Sequence, residues 1–153
     1  MQGVLLMEKY DPLKLENQLC FPLYACFREL IKLYKPHLDT LELPYTQYIT
    51  KMVLWERKSF NVKSLGDVLH LDSGTLTPLL KKLEAKGLIT RRRSIEDERN
   101  LIVTISEAGE ALKDMALSIP SKMTRCVNLT QEEVNTLYQL LYKLLNQEFP
   151  KSE

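Results

Sequence analysis

Apolar residues in the first quarter of the chain recur at helical spacing. Leu19, Leu23, Phe27, Leu30 and Tyr34 follow one another at intervals of four and three, which predicts an amphipathic helix over residues 17–35 with Asn17 as its N-cap. Pro36 disfavours helical geometry at Lys35 and is expected to bend or end the helix there. A second helix opens at Leu43-Pro44-Tyr45-Thr46 and carries Tyr48, Met52 and Trp55 to about Arg57, and residues 59–61 read as a break. A short helix over residues 62–69 should turn Leu65 and Val68-Leu69 inward. Asp72 is a good N-cap for the next helix, which runs through Leu79, Leu80 and Leu83 to Lys86 and closes on Gly87 as a left-handed cap. Pro78 costs about 3 kcal/mol deep inside a helix, so it is expected within about a turn of the start or at a bend.

The period then changes from 3.6 to 2. Leu88-Ile89-Thr90 begins a strand that runs into three arginines, and residues 101–105 alternate as a second strand. The polar stretch 94–100 joins them as a hairpin with a long charged tip. Ser106 caps a helix running to about Cys126. Thr130 and Glu133 form a capping box for the last helix, whose apolar face is Val134, Leu137, Leu140, Leu141, Leu144 and Leu145. The fold class expected is mainly α with a small β-hairpin wing, in one domain over residues 1–153, without internal repeats or linkers. A short helix, a turn, a second helix and a hairpin over residues 45–105 make a winged helix-turn-helix.

Composition narrows the function classes. With 153 residues, 44% hydrophobic and 27% charged, the chain is neither disordered nor low in complexity. No apolar run is long enough to cross a bilayer, and the N-terminus has neither a basic start nor a small-residue cleavage site, so a cytoplasmic protein away from membranes is expected. Cys20, Cys26 and Cys126 form no C-x-x-C, and His37 and His70 stand far apart, so no metal or other cofactor is expected. Cys26, six positions after Cys20, is read as core. The net charge of +1 conceals a block from Lys81 to Arg93 that holds six bases and one acid. Such a block suits an anionic partner, although a solvated helix end would look the same.

The order of elements suits double-stranded DNA. Ser73, Thr75 and Thr77 are short side chains at the start of the second helix of the pair, where they permit close approach to base edges and phosphates; in isolation they would simply be capping residues. Lys81 and Lys82 lie further along, within reach of the backbone. Arg91, Arg92 and Arg93 stand on the hairpin stem and Arg99 near its tip, from which an arginine can enter a minor groove. Asp97 is placed to orient Arg99.

These segments resemble the MarR family of bacterial repressors. The resemblance spans about Glu16 to Phe149 and is strongest over residues 71–84, over Gly87-Leu88-Ile89 through Asp97-Glu98-Arg99, and over residues 102–109. Leu15-Glu16-Asn17-Gln18-Leu19-Cys20-Phe21, Tyr34, Pro36 and Leu43 to Tyr48 resemble the organic-hydroperoxide-sensing OhrR branch in particular. The resemblance implies a homodimer, paired through residues 17–40 and 107–149, on a pseudo-palindromic operator. It also implies that Cys20 is the thiol oxidised by organic hydroperoxide, with Tyr34 and Tyr45 hydrogen-bonded to its sulfur. Taken alone, Cys20 sits in the first turn of a helix, where the dipole favours thiolate, and Tyr24 and Phe27 share its face; the bland alternative is a small buried hydrophobe. Some members of the branch close a disulfide across the dimer with a second cysteine, and Cys126 stands about where that cysteine would be; resolving thiol and bystander both stay open. Two other functions remain to be separated. A repressor released by a lipophilic or phenolic ligand would use Cys20 and the tyrosines only as pocket lining. A thiol peroxidase fits poorly, because Asn17 stands where that chemistry wants a threonine.

Overall fold

The computed structural model describes residues 9–147. Two short 3-10 turns, Asp11–Leu13 and Leu15–Asn17, precede seven α-helices and three strands. Helix α1 spans Cys20–Asp39, α2 Tyr45–Arg57, α3 Val62–Leu69, α4 Ser73–Ala85, α5 Glu107–Ala116, α6 Ile119–Cys126 and α7 Gln131–Leu145. Strands β1 (Ser59–Asn61), β2 (Ile89–Arg93) and β3 (Leu101–Ile105) form one antiparallel sheet in the order β1-β3-β2. The fold is thus mainly helical with a winged helix-turn-helix, as the periodicity predicts.

Four boundaries differ from the sequence reading, each for a physical reason. Asn17 does not cap α1; its Nδ2 donates to the Asp11 carbonyl at 2.8 Å within the preceding turn. The helix starts at Cys20, which places Pro22 at its third residue, where a missing N–H breaks no intrahelical bond. Pro36 does not end α1. The helix continues to Asp39 and so buries Leu38 at 3% exposure. Burying one leucine is worth about 1.5–3 kcal/mol, which offsets most of the proline penalty. The break at 59–61 is an edge strand, paired Ser59↔Thr104, Phe60↔Val103 and Asn61↔Ile102 with β3. The long helix after Ser106 is two helices, because Pro120 has no N–H to give the Ala116 carbonyl; Ala116 ends α5, and Pro120 is the second residue of α6.

Local signals hold elsewhere. Asp72 Oδ1 accepts the Thr75 N–H at 2.7 Å, and Ser106 Oγ accepts that of Gly109 at 3.0 Å. Gly87 takes φ +71 beyond α4, while the Leu88 N–H returns to the Leu83 carbonyl at 3.0 Å. The Thr130–Glu133 capping box is complete. Pro78 lies at the sixth residue of α4 on its exposed face, where the Gly74 carbonyl that loses its helical partner meets water.

The chain divides after Ile119 into two compact units. The first has its core beneath the sheet and the helix-turn-helix: Leu54, Leu65, Leu76, Leu80, Leu83, Ile89 and Val103 are each at most 2% exposed. Val68, expected inward, points outward at 54% exposure. Helix α1 buries only Leu38, leaving Phe21, Tyr24, Phe27 and Leu33 exposed, as is Leu19 just before it. The second unit holds α7, in which no residue is buried.

Candidate functional site

Helix α4 is two-faced. Leu76, Leu79, Leu80 and Leu83 lock one side into the core, which leaves Ser73, Thr75, Thr77, Lys81 and Lys82 on the exposed side. The positive end of its helix dipole lies beside Ser73 and Thr75, with the Thr75 N–H held by the Asp72 cap. The hairpin reaches the same surface: an open groove of about 410 Å³ is lined by Ser73 of α4 together with Asn61, Lys63, Asp72, Arg99 and Asn100. Lys63, which the sequence reading passed over, joins this surface from the start of α3. Nothing in its local pattern distinguishes it from any exposed lysine.

The tip of the wing is built around Asp97. Its Oδ1 accepts the backbone N–H of Arg99 at 3.0 Å and the guanidinium Nε at 3.3 Å, and its Oδ2 accepts from Asn100 Nδ2 at 3.3 Å. The Arg99 side chain is nonetheless 92% exposed, so the tip is fixed while the guanidinium projects into solvent.

The three stem arginines are not equivalent. Arg91 folds back onto Glu84 of α4, with Nη2 and Nε at 2.6 and 3.0 Å from Oε2, and its backbone N–H at 3.1 Å from Oε1. Those hydrogen bonds hold the Glu84 carboxyl below its usual pKa. Arg93 Nη1 donates to the Glu98 carbonyl at 2.7 Å. Arg92 is exposed. Lys86, at the end of the same basic block, turns away to donate to the Glu42 carbonyl at 2.5 Å and to Gln47 at 3.1 Å.

All three cysteines are free and exposed. Cys26 is therefore not core, because α1 has so little to bury against in one chain. Cys20 is the first residue of α1. Cys126 closes α6, and its thiol donates to the Lys122 carbonyl at 3.4 Å. Tyr34 and Tyr45 do meet: their ring centres are 5.0 Å apart, with Phe27 6.1 Å from Tyr45. Burial raises the pKa of both phenols, and Tyr34 adds to the effect at Tyr45, so both remain hydrogen-bond donors at neutral pH. Among the described residues, neither hydroxyl bonds the Cys20 sulfur. Cys20 and Tyr34 lie on nearly the same face of one continuous helix, but fourteen residues at about 1.5 Å each separate them by roughly 21 Å. No tyrosine side chain spans that distance.

Comparison with known proteins points one way. A family model described as transcriptional regulator SarA/Rot matches residues 32–115. Over 137 residues the chain is 49% identical to the organic hydroperoxide resistance transcriptional regulator of Bacillus subtilis (strain 168), covering 90% of this chain and 93% of that protein. It is 40% identical over 138 residues to the HTH-type transcriptional regulator SarZ of Staphylococcus epidermidis (strain ATCC 12228 / FDA PCI 1200), again covering 90% and 93%. Among solved structures, reduced AbfR bound to DNA superimposes with a TM-score of 0.72 at 32% identity, over 90% of this chain and 96% of that one.

Proposed function

The chain belongs to the MarR family of transcriptional regulators, in the branch of the organic hydroperoxide resistance regulators, and from that premise we propose that it is a cytoplasmic homodimeric repressor released from its operator by oxidation of Cys20. The observation that carries DNA binding is the shared groove, in which the exposed first turn of α4 and the fixed, projecting Arg99 face one surface. Helix α4 enters the major groove with Ser73, Thr75 and Thr77, Lys81 and Lys82 attract phosphate, and Arg99 reaches the minor groove. Arg92 adds a phosphate contact. Arg91 serves the interface from behind by fixing the wing stem to α4. The family relationship supports the redox step; AbfR, a relative, is bound to DNA both in a reduced and in an overoxidized form.

Dimerisation accounts for two otherwise awkward features. It covers the exposed apolar residues of α1 and α7. It also lets Tyr34 and Tyr45 of the partner subunit reach a sulfur that lies about 21 Å from the same chain's Tyr34. The Cys20 thiolate attacks the terminal oxygen of an organic hydroperoxide, the O–O bond breaks, the alkoxide leaves and is protonated to the alcohol, and the sulfur becomes a sulfenic acid. That acid no longer accepts the tyrosine hydrogen bonds as the thiolate did, and the dimer shifts to a geometry that fails to match the half-site spacing. Cys126, exposed, is available to resolve the sulfenic acid as a disulfide across the dimer.

A second reading draws on an open cavity of about 710 Å³ beside Tyr45, lined by the apolar Ile31, Leu38, Leu43 and Pro44 and by the charged Lys32, Lys35, Asp39, Glu42 and Lys86. A phenolic or lipophilic ligand there would release DNA without oxidation. The deciding experiment is an electrophoretic shift on the gene's own promoter, with parent and Cys20→Ser, plus or minus an organic hydroperoxide, followed by intact mass. The parent should be released and gain oxygen or a disulfide, while Cys20→Ser stays bound. Release of both proteins alike would sink the redox reading and leave the ligand-responsive one.

A further inference from the structure

Among the described residues, Lys51 is the one charged side chain withdrawn wholly from water, at 0% exposure. It projects from α2 to a point where three segments meet. Nζ lies 3.5 Å from the carbonyl of Leu88, which links Gly87 to strand β2, and 5.6 Å from the ring centre of Trp55. The third side is Gly109 in the first turn of α5, where any Cβ would collide with both the Leu88 carbonyl and the Lys51 ammonium. Trp55 Nε1 donates to the Gly109 carbonyl at 2.9 Å, and the Ser106 N–H donates to the Leu88 carbonyl at 3.1 Å. The ammonium has three N–H donors, and one carbonyl at long range accepts from it. A methionine would fill a similar volume without the cost of holding a charge out of water.

The same helix leads back to the tyrosines. Ring centres step from Tyr34 to Tyr45 at 5.0 Å, to Tyr48 at 6.4 Å and to Trp55 at 6.2 Å. Packing is therefore continuous from the tyrosines to the root of the wing.

Resting on the DNA-binding and redox reading above, we propose that Lys51 is a conformational device at the wing root: its ammonium, buried where the wing root meets the first turn of α5, keeps that joint close to opening. In the reduced protein the aromatic column holds the joint closed. When oxidation displaces Tyr34 and Tyr45, the column loosens, Lys51 reaches water, and the wing leaves its register with α4. Hydration of the ammonium is the interaction that differs between the two states, as a population shift requires. The titratable group acting on Lys51 is Glu110 in the first turn of α5, which Lys58, just past the end of α2, and Lys113 of α5 also reach. Glu110, paired with Lys58, favours the ammonium; burial opposes it more strongly and lowers the Lys51 pKa to about 8.

The test compares operator affinity of fully reduced and fully oxidised protein at pH 7 and pH 9 for the parent, Lys51→Met and Glu110→Gln. Reduced Lys51→Met should bind as the parent does. Its loss of affinity on oxidation should be at least about tenfold smaller than the parent's at pH 7 and should not change with pH. The parent's own loss should shrink about tenfold from pH 7 to pH 9, because the closed joint no longer holds a charge. Glu110→Gln should move the other way, with a larger loss at pH 7, a reversal of sign that a merely structural role would not produce. A parent that binds and responds to oxidant, with Lys51→Met losing as much affinity, overturns the proposal and leaves the functional reading standing. A parent that ignores the oxidant overturns both. Should Lys51→Met fail to fold, an unchanged loss in Glu110→Gln overturns the proposal.

Discussion

Stability of this protein should rise with pH between about 8 and 10, and Lys51→Met should abolish the rise. The Lys51 ammonium is fully buried, and desolvation, partly opposed by Glu110, takes its pKa from 10.5 to about 8. In the unfolded chain the group titrates near 10.4. Between those values the unfolded state holds a proton that the folded state has lost, so stability increases with pH in that window. At neutral pH the charge counts against folding by roughly 3 kcal/mol; about 1.4 kcal/mol of that returns by pH 9 and about 2.5 by pH 10. Tyr34, Tyr45 and Tyr48 act in the opposite sense, but higher up. Their folded pKa values are raised, so their contribution is present below about pH 10 and is lost as pH rises through the folded values. The interval from 8 to 10 therefore reports Lys51. At pH 7.5, Lys51→Met removes the penalty and loses one long hydrogen bond to a carbonyl that keeps the Ser106 N–H. The net gain should be about 1–2 kcal/mol, several degrees in Tm. Trp55, the single tryptophan, reports from beside the joint in urea titrations at pH 7.5, 8.5 and 9.5. Equal pH slopes in parent and variant, or a Lys51→Met protein less stable than the parent at pH 7.5, would refute the reasoning.

Arg99→Ala should weaken specific operator binding by about 1–3 kcal/mol and leave the melting temperature unchanged, since the side chain is 92% exposed; fluorescence anisotropy on operator and scrambled duplexes checks the first claim and a thermal melt the second. Cys126→Ser should still leave DNA on first oxidation but give no dimer-sized band on a non-reducing gel, whereas a persistent band would remove Cys126 as the resolving thiol.

What was legible in the sequence was local. Asp72, Ser106, Gly87 and the Thr130–Glu133 pair announce helix ends because each acts on backbone groups within a few residues. Two prolines carried information that the apolar stripes obscured. Pro22 moves the start of α1 to Cys20, and Pro120 divides α5 from α6. Strand β1 was hidden because three residues show no period and its partner lies more than forty positions away. In the site, the helix-turn-helix and wing were readable from order and spacing, whereas the meeting of Tyr34 with Tyr45 was not, since it joins two helices through tertiary packing. Lys51 was not readable, since its isolation from water comes from three segments converging in space.

The basic block makes the same point quantitatively. Counted along the chain, six bases of residues 81–93 and Arg99 would all face phosphate. If each neutralised one phosphate per subunit, the slope of log K against log salt for the dimer would be about −13. The fold commits three of them elsewhere: Lys86 to Glu42 and Gln47, Arg91 to Glu84, and Arg93 to the Glu98 carbonyl. Lys81, Lys82, Arg92 and Arg99 remain, for a slope of about −7. Lys81→Ala or Lys82→Ala should each flatten it by about 1.8, one contact of about 0.9 per subunit. Arg91→Ala should leave the slope in place and weaken specific binding by freeing the wing stem from α4. Affinity measured from 50 to 300 mM salt decides the matter: a slope near −13, or a flatter slope in Arg91→Ala, would mean that these internal pairs open on DNA.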